Sequence, residues 1–169
     1  MMVDMKADFQ FIDHKIKRLE INNDFSDLVR KLTYNLSLEV TDTPAIEENE
    51  KGDFVGSVSL TVKVVGKSSE QDDRCISVVL ELEGGFFASK DDMSLEVFNK
   101  MLQLNGLTTM YSIARSIIIS VSAQCCPNGQ VRLPMLNMVE VRNAMDEAAE
   151  SEDTLESAAP SASENGNID

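Results

Sequence analysis

The chain has 169 residues and a formal net charge of −14 at pH 7. That length suits one domain with its own core plus a tail. The acidity argues against nucleic acid or an anionic membrane as the main partner, because phosphate binding needs clustered Lys and Arg, and it favours a basic protein surface instead.

No segment approaches the roughly 18 apolar residues that span a bilayer, and the opening MMVDMKADFQ lacks a basic stretch followed by an apolar one, so a cytoplasmic location is expected. Residues 1–8 read as a flexible start. FQFIDHKIKRLEIN then reads as a first strand with a bulge, because its apolar set moves from Ile12 and Ile16 to Leu19 and Ile21. LTYNLSLEV alternates strictly, with apolar side chains at Leu32, Tyr34, Leu36, Leu38 and Val40. FVGSVSLTVKVVG repeats that pattern through Val58, Leu60, Val62 and Val64, and CISVVLELE through Ile76, Val78, Leu80 and Leu82. The links at 41–53 and 66–74 are rich in turn formers and hold no crossover helix, so the four strands are expected to run antiparallel as a meander. LEGGFF then reads as a strand exit where glycine allows a bend.

Beyond it the period changes to three and four. Leu95, Phe98, Met101 and Leu102 predict a short helix ending at Asn105 and Gly106. Leu107, Met110, Ala114, Ile117, Ile118 and Val121 predict a long helix with Thr108 as a cap, and Ile113 and Ile119 broaden its apolar surface beyond one stripe. CCPNGQ is a turn, VRLPMLNMV an extended segment broken by Pro134, and VEVRNAMDEAAE a final helix. From Asn143 onward there are eight acidic residues and no Lys or Arg. The body is thus expected over residues 9–145 and an acidic, disordered tail over 146–169.

Catalytic signatures are sparse. His14 is the sole histidine and sits in a basic strand with no nucleophile to place beside it, so a surface role is expected. Cys75, Cys125 and Cys126 are odd in number, adjacent cysteines seldom bridge, and no CxxC or second His pair completes a zinc site; reduced thiols are expected. The glycines of LEGGFF lack the Lys and Ser/Thr of a phosphate loop. The pattern points away from an enzyme, and no metal or cofactor is expected.

The order of these words, more than any one of them, resembles the SecB family of protein-export chaperones. IKRLEIN resembles that family's opening strand, CISVVLELEGGFF its last strand and glycine-phenylalanine exit, ARSIIISVS its long helix, and LPMLNM the segment after it. The departures are NGLTTMYSI before the Ala-Arg pair and VEVR after Leu-Asn, which mark a divergent relative.

The resemblance implies an α+β fold with a four-stranded antiparallel sheet packed on a long helix. It further implies a homotetramer, as a dimer of dimers, that holds non-native polypeptide without ATP for export or delivery. Apolar residues near the strand exit and the extended segment, Phe86, Phe87, Leu133, Met135 and Met138, are then expected to border the client groove. Glu39, Glu81 and Glu83 on the outer sheet face would dock a basic partner such as the SecA motor. A chaperone dedicated to one client, such as an antitoxin, and a non-catalytic oligomerisation or adaptor module are the competing functions.

Overall fold

The computed structural model describes residues 7–25, 32–40, 44–68, 75–126 and 130–144. The expected acidic tail and nearly all of the expected flexible start lie outside the described residues. The chain divides into two compact units, residues 1–135 and 136–169.

The first unit holds five strands: β1 (Phe9–Asn23), β2 (Leu32–Val40), β3 (Ala45–Glu48), β4 (Phe54–Ser68) and β5 (Cys75–Ala88). They form one antiparallel sheet in the order β1-β5-β4-β2, with β3 beside β4. A helical run follows, α1 (Leu95–Met101), a π-helical segment over Leu102–Gly106, and α2 (Leu107–Cys125). The α+β class, an antiparallel sheet on one long helix, is as the sequence implied.

The sheet faces follow from strict alternation. In β4 and β5 almost every even position is buried and the odd positions are half-exposed. Val58, Leu60, Val62, Val64, Ile76, Val78, Leu80 and Leu82 are at most 3% accessible and face the helices. Each such side chain stabilises the fold by about 1.5–3 kcal/mol relative to exposure. α2 answers with buried Leu107, Met110, Tyr111, Ala114 and Ile118. Two glycines admit the helices to this face. A Cβ at Gly56 would come within 2.5 Å of Leu102 Cδ1, and one at Gly84 would run into Met110 Sδ.

Four details differ from the sequence expectation. The meander holds for β2, β4 and β5, but β1 crosses to the far side of β5. There Ile16, Leu19 and Ile21 lie opposite Leu82, Leu80 and Val78, and Lys17 and Arg18 lie beside Glu83 and Glu81. Those cross-strand matches are non-local, and adjacency along the chain does not reveal them. β1 carries two register shifts, between Phe11 and Asp13 and between Ile16 and Arg18, rather than one.

The turn at 41–53 also contains a strand, β3, returned to β4 by a hairpin. Asn49 Oδ1 accepts hydrogen bonds from Lys51 N–H and Asp53 N–H there, and Gly52 takes φ 80°. Third, β5 does not exit at Gly84 and Gly85. It continues to Ala88, with Gly84 opposite His14 and Val58.

Fourth, Gly106 does not terminate a helix. It keeps right-handed geometry (φ −59°), and the chain turns through the π segment straight into α2. Gly106 is there for closeness, since a Cβ would sit 3.2 Å from Val58 Cγ2. Thr108 accordingly caps nothing; its Oγ1 donates to the Leu104 carbonyl.

After α2 the chain runs extended and is tied back to it. Ser122 Oγ accepts from Val131 N–H at 2.8 Å, Tyr111 donates its hydroxyl to the Pro134 carbonyl at 2.9 Å, and Arg115 Nε donates to the Leu133 carbonyl at 3.2 Å. Burial pushes the Tyr111 phenol up from its ordinary value, so it stays a donor through the neutral range. In the second unit the described residues include a helical segment over 138–144. Asn137 begins it, its side-chain oxygen accepting from Val139 N–H and its carbonyl from Val141 N–H.

Candidate functional site

The five residues expected to border a client groove do not meet on one surface. Phe86, Leu133 and Met138 are buried, at 0%, 3% and 6% accessible. Met135 is 80% exposed beyond α2, where its sulfur accepts from Arg115 Nη1. Phe87 is half-exposed on the opposite side of the sheet from Phe86. The reason is parity: consecutive residues of a strand point to opposite faces, so Phe86 and Phe87 cannot share a groove while β5 runs on through them. Leu133 packs into the first unit instead, and Phe86, itself inaccessible, backs the stacked rings of Phe9 and Phe11.

The outer sheet face does carry Glu39, Glu81 and Glu83, but each is already engaged by a cation of this chain. Lys63 Nζ contacts Glu39, Arg18 Nη1 lies 3.3 Å from Glu81 Oε1, and Lys17 Nζ lies 2.6 Å from Glu83 Oε2. Arg18 also grips Glu20 at 2.7 Å. The hydrogen bond from Lys17 holds the Glu83 carboxyl below its ordinary value, and Arg18 does the same for Glu20. This face is a ladder of compensated charge, with Ser57, Ser59 and Thr61 between the pairs, and differs from a bare acidic patch. The pairs are half-exposed and individually weak.

Exposed apolar surface gathers instead along β1. Phe11, Ile12, Ile16 and Leu19 are 37–57% exposed, an unusual load for an edge strand. Among the described residues β1 pairs with β5 alone, so its outer backbone edge is open. The two bulges keep Phe9, Phe11, Ile16, Leu19 and Ile21 on the helix side of the sheet despite the irregular spacing.

At its start β1 forms an aromatic wall. Phe9 stacks on Phe86 at 5.2 Å between ring centres and lies 5.7 Å from Phe98; Phe11 meets Phe86 at 5.5 Å. Facing this wall, the π segment and the first turn of α2 present Asn105, Thr108 and Thr109. Between them lies an open cleft of about 380 Å³. Thr108 and Thr109 donate their hydroxyls to the Leu104 and Asn105 carbonyls, so those donors are already satisfied. Aromatic rings on one wall and small, self-satisfied polar residues on the other can grip an apolar side chain without demanding a fixed polar pattern. The pair of aromatics at period two in FQF was the sequence signal for this wall; the facing Asn and Thr depend on the π segment and had none.

A second groove, of about 560 Å³, lies between β3 and α1, where Ile46 faces Leu95 and Asn99. Ser94 caps α1 by accepting from Val97 N–H, which leaves Leu95 and Val97 each 47% exposed at its first turn.

The three cysteines are free thiols. Cys126 is buried with Phe25 and Ile76, and burial raises its pKa; Cys75 is raised by burial and by its contact with Asp24. Neither is an activated thiolate. Among the described residues no group of three His, Cys, Asp or Glu side chains could hold a metal ion, and no helix is long and apolar enough to cross a membrane.

No protein-family model and no curated protein matches this sequence. In structure the chain is similar to the SecB-like chaperone Rv1957 of Mycobacterium tuberculosis, solved in complex with a ChAD peptide from the Rv1956 HigA1 antitoxin. The TM-score is 0.55 at 16% identity, over 76% of this chain and 91% of that one. The fold is SecB-like. A Streptococcus agalactiae protein of unknown function aligns over 75% of this chain and 97% of its own, at 8% identity and a TM-score of 0.37, below the level of a shared fold.

Proposed function

We propose that this chain is a non-enzymatic, ATP-independent chaperone that holds non-native polypeptide for export or for delivery to a partner. The observation that carries this reading is the aromatic cleft of Phe9 and Phe11, backed by Phe86, opening on the same face as exposed Ile16 and Leu19 of a SecB-like sheet. A lone soluble chain has little reason to leave such a patch bare.

The patch serves two purposes in this reading. The middle of β1, around Ile16 and Leu19, meets a second copy of the chain in a two-fold pairing that removes the open edge, and two such dimers give the tetramer implied by the SecB resemblance. The cleft at the start of β1 remains for the client. Free thiols suit a cytoplasmic setting.

One specific observation favours a dedicated client over general export. Glu39, Glu81 and Glu83 are all satisfied by Lys63, Arg18 and Lys17, so a basic motor such as SecA would have to exchange those pairs before docking. The structural neighbour, moreover, was solved with an antitoxin peptide.

The test is a light-scattering assay: a denatured, reduced polypeptide is diluted into buffer with this protein and no ATP. Suppression that saturates at a fixed ratio supports the holdase. Suppression confined to one cognate chain selects the dedicated form. Failure with every client, cognate ones included, leaves an oligomerisation module and contradicts the proposal.

A further inference from the structure

Among the described residues the most exposed large apolar side chain is Met135, at 80% accessible against 57% for Ile12, the next. At that exposure the thioether gains almost nothing through burial, so packing does not account for it. A hydrogen bond holds it instead. Arg115 Nη1 donates to Met135 Sδ at 2.7 Å, and Nε of the same guanidinium donates to the Leu133 carbonyl at 3.2 Å. A planar, rigid fork fixed at two points cannot swing off the sulfur without giving up the carbonyl. The backbone beside the sulfur is pinned as well, by the Tyr111 hydroxyl on the Pro134 carbonyl at 2.9 Å and by Val131 N–H on Ser122 Oγ at 2.8 Å. The thioether therefore meets its cation in one orientation.

That orientation has a chemical consequence. A thioether sulfur is a weak acceptor with two lone pairs, and two-electron oxidants convert it to a sulfoxide, a chiral centre whose hand depends on which lone pair takes the oxygen. Arg115 lies on one lone pair. The other is left to solvent. An oxidant arriving from solvent is steered to one side of the sulfur, whereas an exposed methionine that turns freely offers both sides alike.

We propose that Met135 is a reversible oxidation site at which Arg115 selects one sulfoxide epimer. The oxidant is hydrogen peroxide. The free lone pair of Sδ attacks one peroxide oxygen, an S–O bond forms and the O–O bond breaks, and the proton of the transferred oxygen passes through water to the departing hydroxide. The products are the sulfoxide and water, with two electrons moved from sulfur to the peroxide. The new oxygen is a stronger acceptor than the sulfur it modifies, so rotation about the Cγ–Sδ bond brings it to the Arg115 cation and tightens the tie between the extended segment and α2. The site stands apart from the chaperone reading, whose light-scattering test it neither needs nor alters.

The test treats the full-length protein with dilute hydrogen peroxide and maps the tryptic peptide Leu133–Arg142 by tandem mass spectrometry. Met135 should gain one oxygen before Met138 of the same peptide, which is 6% accessible. Oxidation of Met138 first overturns the proposal. The oxidised peptide is then divided between the two classes of methionine sulfoxide reductase, each of which accepts one epimer. One class should clear the Met135 oxygen from at least roughly five times as many molecules as the other. Peptide from the Arg115→Gln protein should bring the two classes to parity. Parity in the wild type, or an undiminished excess in Arg115→Gln, overturns the proposal, and the wild-type ratio decides it even where that variant folds poorly.

Deuterium exchange at the Val131 amide, which Ser122 Oγ holds, reports release of the segment. Oxidation should slow it at least roughly twofold in the wild type and leave it unchanged in a Met135→Leu protein treated alike. Unchanged or faster exchange in the oxidised wild type overturns the tightened tie.

Discussion

The two faces of the sheet are written by the same strands, one residue out of step, yet they obey different physics. Leu80 and Leu82 are at most 1% accessible against α2, while their neighbours Glu81 and Glu83 stand half-exposed in ion pairs with Arg18 and Lys17. The space beside Gly84 is filled by Met110, whereas a Cβ at Gly85 next to it would make only ordinary contacts with Ile12 and Asp13 near 3.9 Å. Over β4 and β5 the helix face is close-packed, with Val58 to Val64 and Ile76 to Leu82 at most 3% accessible at their inward positions. The outer face is a screened lattice of charges that tolerates exchange. Stability is therefore invested on one side, and the apolar surface available for partners lies at the edge, along β1, where neither face closes it.

The contrast is sharpest at the two phenylalanines. Phe86→Ala should cost about 3–5 kcal/mol, through lost burial and the cavity left among Phe9, Phe11 and the helices. Phe87→Ala, its neighbour on the outer face, should cost about 1 kcal/mol or less. Urea denaturation of the pair measures both, and similar midpoints for the two would contradict the division.

Adjacent glycines give the next test. Gly84→Ala forces a methyl against Met110 and should destabilise by about 1–3 kcal/mol, whereas Gly85→Ala has only ordinary contacts, near 3.9 Å, and should be neutral or stabilising by a few tenths. Opposite signs in the melting temperature would confirm that the helix sits where described.

Smaller still are the outer pairs. A double-mutant cycle on Lys17→Gln and Glu83→Gln should return a coupling of about 0–1 kcal/mol, reduced further in high salt, because both side chains are more than a third exposed. The pH dependence has a definite sign. Glu83 and Glu20 have folded-state values below the ordinary carboxylate range, so their contribution is complete above that range and drains away as pH falls through the folded values. Stability should be flat from neutral pH down to about pH 5 and fall slightly below about pH 4, and the Lys17→Gln variant should show a shallower fall. A steeper fall in that variant would reverse the assignment.

Much of the fold was legible in the chain because alternation is local. Val58 through Val64 and Ile76 through Leu82 announce both their strands and the face they bury, and the three-and-four spacing of Leu107, Met110, Ala114 and Ile118 announces the helix beneath. The partner of β1 was not legible, since it rests on matches such as Ile16 with Leu82 across more than sixty residues. The glycines misled for a related reason. Gly84 and Gly106 look like punctuation, but each marks a close approach between elements, a property of packing that no single segment states. The site suffered most. Phe86 and Phe87 were grouped by composition although their parity already separated them, and the cleft that does exist needs Phe9, Phe11 and the π segment brought together by tertiary structure. Glu39, Glu81 and Glu83 were correctly read as outward-facing, but their cations sit on other strands.

One measurement bears most directly on the chaperone reading: site-specific photo-crosslinking to a reduced, unfolded client, with a benzophenone side chain placed at Phe11 in one protein and at Thr61 in another. The first position borders the aromatic cleft and the second sits in the outer face. The account predicts client crosslinks from position 11, competed away by unlabelled client, and none from position 61. Crosslinks from position 61 alone, or equally from both, would contradict it.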